Sequence, residues 1–378
     1  MKKIKDFITI ILFCAIVLGF CTAGIISDDK SVSYSERRKL KTFGEVLDTS
    51  ILSKDFSTEL ESYLLDQMSL REIFRKINAR VRYNVMQQSD VNGLWIEDGS
   101  LFKNDDKLNK EQVMYGINLI NRLCEQKLSG MNVYYSIIPD KNYFIKDKAP
   151  WLKLDYKELF SLLGENIKGA QYIDITDTLS LSDYYKTDTH WSQPKIYKTA
   201  KKLAQGMNIA HLLTKESDYK INTKAPFYGV YWGQAALGAK PDTIEYLTND
   251  YTENAKVYGI DKDILKKEFG VNDTLHSKVY ALDKFDGMDA YDMFLSGAQP
   301  IVTIESENAR SDRELIIFRD SFSSSLAPLF TGAYKKITLI DLRYIPSMLL
   351  DRFVEFKDGE DVLFLYSTSL YNSAMLLK

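Results

Sequence analysis

The sequence predicts an α/β fold, a mostly parallel sheet flanked by helices, carried behind an N-terminal membrane anchor. Three observations predict it. Short, nearly continuous apolar runs recur at residues 132–138, 315–318 and 362–366, as strands buried on both faces of a parallel sheet do. Segments of helical periodicity alternate with them, which builds a sheet covered on both sides. The first residues stand apart: Lys2, Lys3 and Lys5 precede an apolar run over residues 7–26, and about 20 such residues cross a bilayer.

In chain order, residues 1–27 are the expected anchor, with Thr9, Cys14, Cys21 and Thr22 as the only polar side chains of the apolar run. Secretory signals carry a shorter apolar core, roughly 7–15 residues. Thr22-Ala23-Gly24 still offers a cleavage site, so a cleaved signal is the alternative. A long domain translocates largely regardless of flanking charge, which puts the rest of the chain on the extracytoplasmic side, tied to the cell membrane by one pass. Residues 28–90 read as a polar tether and a helical region, with Phe56, Leu60, Tyr63, Leu64 and later Ile73, Phe74, Ile77 and Val81 at helical spacing. The remainder, 91–378, reads as one catalytic domain. Asn92-Gly93 and Asp98-Gly99 bracket a short hairpin. Residues 110–127 form a helix ended by Ser129-Gly130, and 132–138 a buried strand broken by Pro139. Residues 172–175 form a short strand, and 195–205 a helix after Pro194. Strands follow at 315–318, 336–340 and 362–366, with a helix from Ser323 to Gly332. The polar stretch at about 206–290 reads as an insertion between the two halves of the sheet.

Composition excludes several classes. A formal net charge of −3 lacks the basic excess of a nucleic-acid binder. Only Cys124 lies outside the apolar run, so the exported part has no intrachain disulfide, and Cys124 itself reads as a buried helix residue. No phosphate-binding or dinucleotide glycine motif is present, and no cofactor is expected.

The chain has three histidines, which narrows the search for a base. His211 and His276 have no carboxylate within two residues, whereas His190 follows Asp188 in Thr187-Asp188-Thr189-His190-Trp191. Side chains two apart in an extended segment share a side, so Asp188 can orient the imidazole. A surface loop is the bland alternative. Zinc is disfavoured, because hydrolytic sites take three protein ligands and no second histidine or cysteine is near. The nucleophile that suits such a base is Ser321, in Arg319-Asp320-Ser321-Phe322, where a buried strand gives way to a turn and a helix. Backbone N–H groups of Ser321 and Phe322 would face an oxyanion there. Asp320 or Ser321 would equally serve as a helix N-cap.

These two motifs resemble the DHHW family and the neighbouring AlgX/AlgJ group of SGNH-like proteins. The resemblance extends to Asp66, Gln67 and Arg71, to Ile138-Pro139-Asp140-Lys141, to Tyr172-Ile173-Asp174-Ile175, to the segment ending in Gly297-Ala298-Gln299 and to Asp341-Leu342-Arg343-Tyr344, over about residues 50–378. Thr189 stands where the family name has its first histidine, and Gln299 where an asparagine is common. The Asp/His pair precedes the serine, a permuted order for an SGNH-hydrolase-like (flavodoxin-like) domain.

The resemblance implies an extracytoplasmic O-acetyltransferase. Ser321 would carry the acyl group, His190 would move the proton and Asp188 would orient it. The acceptor would be an exported polysaccharide such as cellulose, and a multipass membrane O-acyltransferase beside a polysaccharide synthase complex would supply acetyl groups. Trp191, Tyr184 and Tyr231-Trp232 are candidate sugar-stacking surfaces, or else core aromatics. Lys141, Arg319, Arg343 and Tyr344 are candidates for the cleft, the three cations being equally suited to structural ion pairs. Gln299 and Phe322 are candidates for the oxyanion site. Two alternatives remain: a carbohydrate acetylesterase using the same residues, and a non-catalytic glycan-binding component of an export complex.

Overall fold

The computed structural model describes residues 2–149, 151–260 and 274–378. His276 has its side chain outside the described part. The chain divides into two compact units, one running to Trp95 together with Trp232–Ala239, the other comprising Ile96–Tyr231 and Lys240–Lys378.

The first unit contains helices α1 (Lys2–Ile26), α2 (Phe56–Asp66) and α3 (Arg71–Arg80). Within α1, residues Ile4–Gly24 are long and apolar enough to cross a membrane, with mean hydropathy 2.5. The helical pattern expected over residues 54–86 breaks at Leu70, which adopts a left-handed backbone at φ 60°. The segment expected as a tether is instead fastened to α2 and α3. Gln67 bonds both ways with Lys30 (2.9 Å each) and donates to Lys41 O at 2.7 Å. Asp66 pairs with Arg38, and Arg71 with Glu36 at 2.6 Å. These short ionic and amide contacts order a polar segment that has little apolar surface of its own.

The second unit is built on a central sheet. Its strands are β1 (Asn132–Ile138), β2 (Gln171–Tyr172), β3 (Lys256–Ile260), β4 (Thr274–Ser277), β5 (Ile301–Glu305), β6 (Glu314–Arg319), β7 (Lys336–Ile340) and β8 (Asp361–Ser367). Among the described residues the order is β4-β3-β5-β7-β6-β8-β1-β2. Strands β7, β6, β8, β1 and β2 are parallel, whereas β5, β3 and β4 extend the sheet antiparallel. The stretch read as an insertion thus supplies the last two strands on one side of the sheet, β3 and the edge strand β4, and a separate ribbon of Lys220–Phe227 with Asp242–Thr248.

Strands β1, β6, β7 and β8 bury both faces. On one side Leu315, Ile317, Leu363 and Leu365 pack with Ile196, Ala200 and Leu203 around helix α6 (Tyr197–Gly206). On the other, Ile316, Phe318, Val362 and Phe364 meet Ile117 and Ile120 of α4 (Lys110–Gln126) and Leu159 and Leu163 of α5 (Tyr156–Asn166). This explains the unbroken apolar runs. Strands β1, β6, β7 and β8 point the same way, so Asp140, Asp320, Asp341 and Thr368 gather at one sheet edge, where parallel sheets place their sites.

Candidate active site

Asp320 and Ser321 form the turn after β6. The Asp320 carboxylate spans that turn: one oxygen accepts from Phe322 N at 3.1 Å, the other from Ser367 N at the end of β8 at 2.8 Å. The turn is thereby fixed to the neighbouring strand, with Ser321 partly exposed at its tip.

The histidine loop folds back on itself. Tyr185 N donates to His190 O at 3.0 Å and Ser192 N to Asp183 O at 2.8 Å. At its tip Asp188 Oδ1 lies 2.6 Å from His190 Nδ1 and accepts from His190 N at 3.0 Å, while Oδ2 accepts from Val230 N at 2.7 Å. A carboxylate only accepts, so Nδ1 carries the proton and Nε2 is left with its lone pair. Nε2 lies 2.7 Å from Ser321 Oγ. Asp188, His190 and Ser321 therefore form one continuous chain of hydrogen bonds, with Asp188 fully buried and His190 7% exposed.

Trp191 joins the two loops. Its indole N–H donates to Phe322 O (3.1 Å) and Ser325 Oγ (3.0 Å), and its ring meets Phe322 edge-on at 5.2 Å. It is wholly buried, a core aromatic and not a sugar-stacking surface, and it bridges the loops that carry His190 and Ser321. Tyr184 is also buried, its hydroxyl donating to Pro139 O.

Lys141 holds the loop from beneath. Its ammonium donates to the carbonyls of Leu101 (2.6 Å), Tyr185 (2.9 Å), Lys186 (3.1 Å) and Asp188 (3.3 Å). Burial pushes it down to about 7, against partial compensation from Asp188 and Asp242. Only 4% exposed, Lys141 braces the loop and also lines the cleft beside Thr189, the place expected of it from sequence.

The other candidates are held by neighbouring groups. Arg319 is wholly buried, donating to Ser324 Oγ at 3.0 Å and Gly297 O at 3.4 Å. Its burial lowers its affinity for the proton, with Asp341 compensating. Arg343 forms a forked pair with Asp341 (2.8 and 2.6 Å), and the Tyr344 ring lies 5.5 Å from its guanidinium. Phe322 N–H is bound to Asp320, which removes it as an oxyanion donor. Gln299 packs on Gly259, where a Cβ would meet its Oε1 at 1.8 Å, and that buried oxygen accepts no bond among the described residues. Trp232 lies in the first unit and donates to Ala239 O at 2.7 Å. Cys124 is half-buried and pushed up to about 11 by burial, an inert helix residue. His211 is exposed.

Three supports were not anticipated from sequence. Asp242, on the outlying ribbon, accepts from Lys186 N (3.0 Å), Thr187 N (2.7 Å) and Thr187 Oγ1 (2.6 Å). Gly229 N donates to Thr187 Oγ1 at 3.0 Å, and a Cβ there would lie 2.2 Å from Thr187 O, so only glycine allows the approach. The Tyr291 ring stacks on His190. A cleft of about 150 Å³ opens beside Thr189, lined also by Lys103, Asp105, Lys141, Asn142, Tyr231 and Asn372.

No family model and no curated protein matches this sequence. Solved structures do resemble it. A DHHW family protein from Eubacterium siraeum is 22% identical with TM-score 0.57, covering 76% of this chain and 97% of its own. PatB1 of Bacillus cereus, solved with a sulfonyl adduct, is 18% identical with TM-score 0.58, covering 74% of this chain and 95% of its own. The O-acetyltransferase domain of Pseudomonas putida AlgJ matches at 12% identity and TM-score 0.39, over 74% of this chain and 92% of its own. The first two share the fold, and the DHHW protein among them agrees with the resemblance carried by the motifs.

Proposed function

We propose that this chain is an extracytoplasmic O-acetyltransferase acting on an exported polysaccharide. One observation carries the reading: the hydrogen-bonded chain from Asp188 through His190 to Ser321, at 2.6 and 2.7 Å, within the reach that proton transfer requires. Ser321 Oγ attacks the carbonyl carbon of an acetyl donor as its proton passes to His190 Nε2. Asp188 stabilises the resulting imidazolium, and the Ser321 N–H faces the oxyanion. The donor's leaving group takes the proton from His190, which leaves acetyl-Ser321. A sugar hydroxyl then gives its proton to Nε2 and takes the acetyl group, restoring the serine.

Two further observations support transfer to a glycan. Hydroxyl, amide, carboxylate and ammonium groups line the cleft beside Thr189, a suitable chemistry for a sugar. The motifs resemble those of the AlgX/AlgJ group, a resemblance that implies O-acetylation of an exported polysaccharide. The apolar α1 serves in this reading as a single-pass anchor, and a multipass acyltransferase beside the synthase supplies acetyl groups. Cellulose, or another neutral glycan, fits a chain without net basic charge.

The test is turnover of a chromogenic acetyl ester with and without cello-oligosaccharide, the products read by mass spectrometry. Acetylated oligosaccharide from the wild type and none from Ser321→Ala supports the proposal. Ester hydrolysis that no glycan acceptor diverts would replace it with an acetylesterase. A folded but inert wild type supplied with donor would leave the glycan-binding reading.

A further inference from the structure

Helix α3 presents an apolar stripe to the outside. Ile73, Phe74 and Ile77 share one face of α3, with Leu70 at its N-cap and Val81 and Val85 in the π-helical turn that follows it; they are 51%, 40%, 52%, 57%, 37% and 74% exposed, respectively. The opposite face is the one that packs. Ala79 is buried, and Arg75 donates to Gly233 O at 2.8 Å within the same unit. Lys76 and Arg80 of α3 and Arg82 just after it flank the stripe, Arg71 being paired with Glu36 at 2.6 Å. A helix with an apolar face edged by arginine and lysine is suited to lie in a membrane interface.

The position of the stripe selects its occupant. Phe20, close to the end of the Ile4–Gly24 span, meets Phe74 edge-on with ring centroids 5.5 Å apart. The apolar surface of α3 thus begins where the span ends. Building on the reading of α1 as a membrane anchor, we propose that α3 lies along the bilayer that α1 crosses, its apolar stripe in the headgroup–acyl boundary and its flanking cations among lipid phosphates. Lipid is the ligand of this face, and α1 with α3 makes a two-part anchor, one part spanning and one lying flat.

Nitroxide labels on the full chain in phosphatidylcholine–phosphatidylglycerol vesicles test this. Single cysteines are introduced as Ile73→Cys, Ile77→Cys, Val81→Cys and Lys76→Cys, with Cys14, Cys21 and Cys124 replaced by serine, and a separate protein keeps only the native Cys14. Collision with oxygen against a water-soluble nickel chelate reports depth. The expected result is oxygen preference at 73, 77 and 81, at a depth of roughly 5–10 Å, nickel preference at 76, and a deeper position for Cys14. Nickel preference at all α3 positions, with Cys14 still in hydrocarbon, overturns the proposal and leaves the span intact. Shielding from both reagents at 73, 77 and 81 overturns it in favour of a protein partner. Nickel access at Cys14 removes the anchor reading and the lipid proposal together.

Discussion

The imidazole of His190 lies flat on the phenol ring of Tyr291, with centroids 3.8 Å apart and planes within 6°. The Tyr291 hydroxyl donates to Ser325 Oγ at 2.8 Å, the same oxygen that accepts from Trp191. The ring therefore packs the imidazole in place and, in the proposed mechanism, offers its π face to the cation that proton transfer would form. Such contacts are worth about 0.5–2 kcal/mol, so Tyr291→Leu is expected to lower kcat roughly 2–30-fold. Tyr291→Phe keeps the ring and should lose less. Steady-state kinetics of both variants on an acetyl ester check this.

Asp188 fixes the histidine tautomer through Oδ1 and ties it to Val230 N through Oδ2. Asp188→Asn keeps the size of the side chain but lets the imidazole present the wrong nitrogen to Ser321. The expected loss in kcat is roughly 10³–10⁴-fold, with thermal stability little changed. Activity within tenfold of the wild type would remove Asp188 from the mechanism.

Asp242 acts on the backbone of the same loop through three donors, Lys186 N, Thr187 N and Thr187 Oγ1. Bonds to a charged acceptor contribute about 1.5–3 kcal/mol each at most. Asp242→Asn is expected to cost about 1–3 kcal/mol in urea unfolding and to lower kcat less than Asp188→Asn does. The reverse order would assign Asp242 a direct part in the chemistry.

Lys141 gives a pH signature. Its ordinary value is 10.5, and burial brings it to about 7. Below pH 7 it is protonated folded or unfolded. Above 7 the folded chain releases the proton first, so the unfolded chain holds more protons and folding gains stability as pH rises towards 10.5. Thermal unfolding of the wild type against Lys141→Met at pH 6 and pH 9 isolates this contribution. Relative to the variant, the wild type should be the more stabilised at pH 9, and an unchanged difference would contradict it.

Sequence showed what is local. Strands β1, β6, β7 and β8 were legible because both faces are buried and their apolar runs are unbroken. The two loops were legible because Asp188 and His190 are two residues apart and Ser321 follows a buried strand directly. Strand β5 was missed: Thr303 and the acids after Ile304 interrupt its pattern, and its partners β3 and β7 come from distant segments. Lys256 and Gly259 disguised β3 in the same way. Asp242, Gly229 and Tyr291 reach the histidine loop from other parts of the chain, and no local spacing announces them. Sequence leaves Trp191 and Arg319 open between the cleft and the interior, and tertiary packing buries both.

The central claim is that Ser321 carries the acetyl group. The direct measurement is rapid quenching of the protein with an activated acetyl ester, followed by intact-mass and peptide-level mass spectrometry. The account predicts one added acetyl group, located on Ser321, absent from Ser321→Ala and formed slowly in Asp188→Asn. Acetylation at another residue, or full ester turnover by Ser321→Ala, would contradict it.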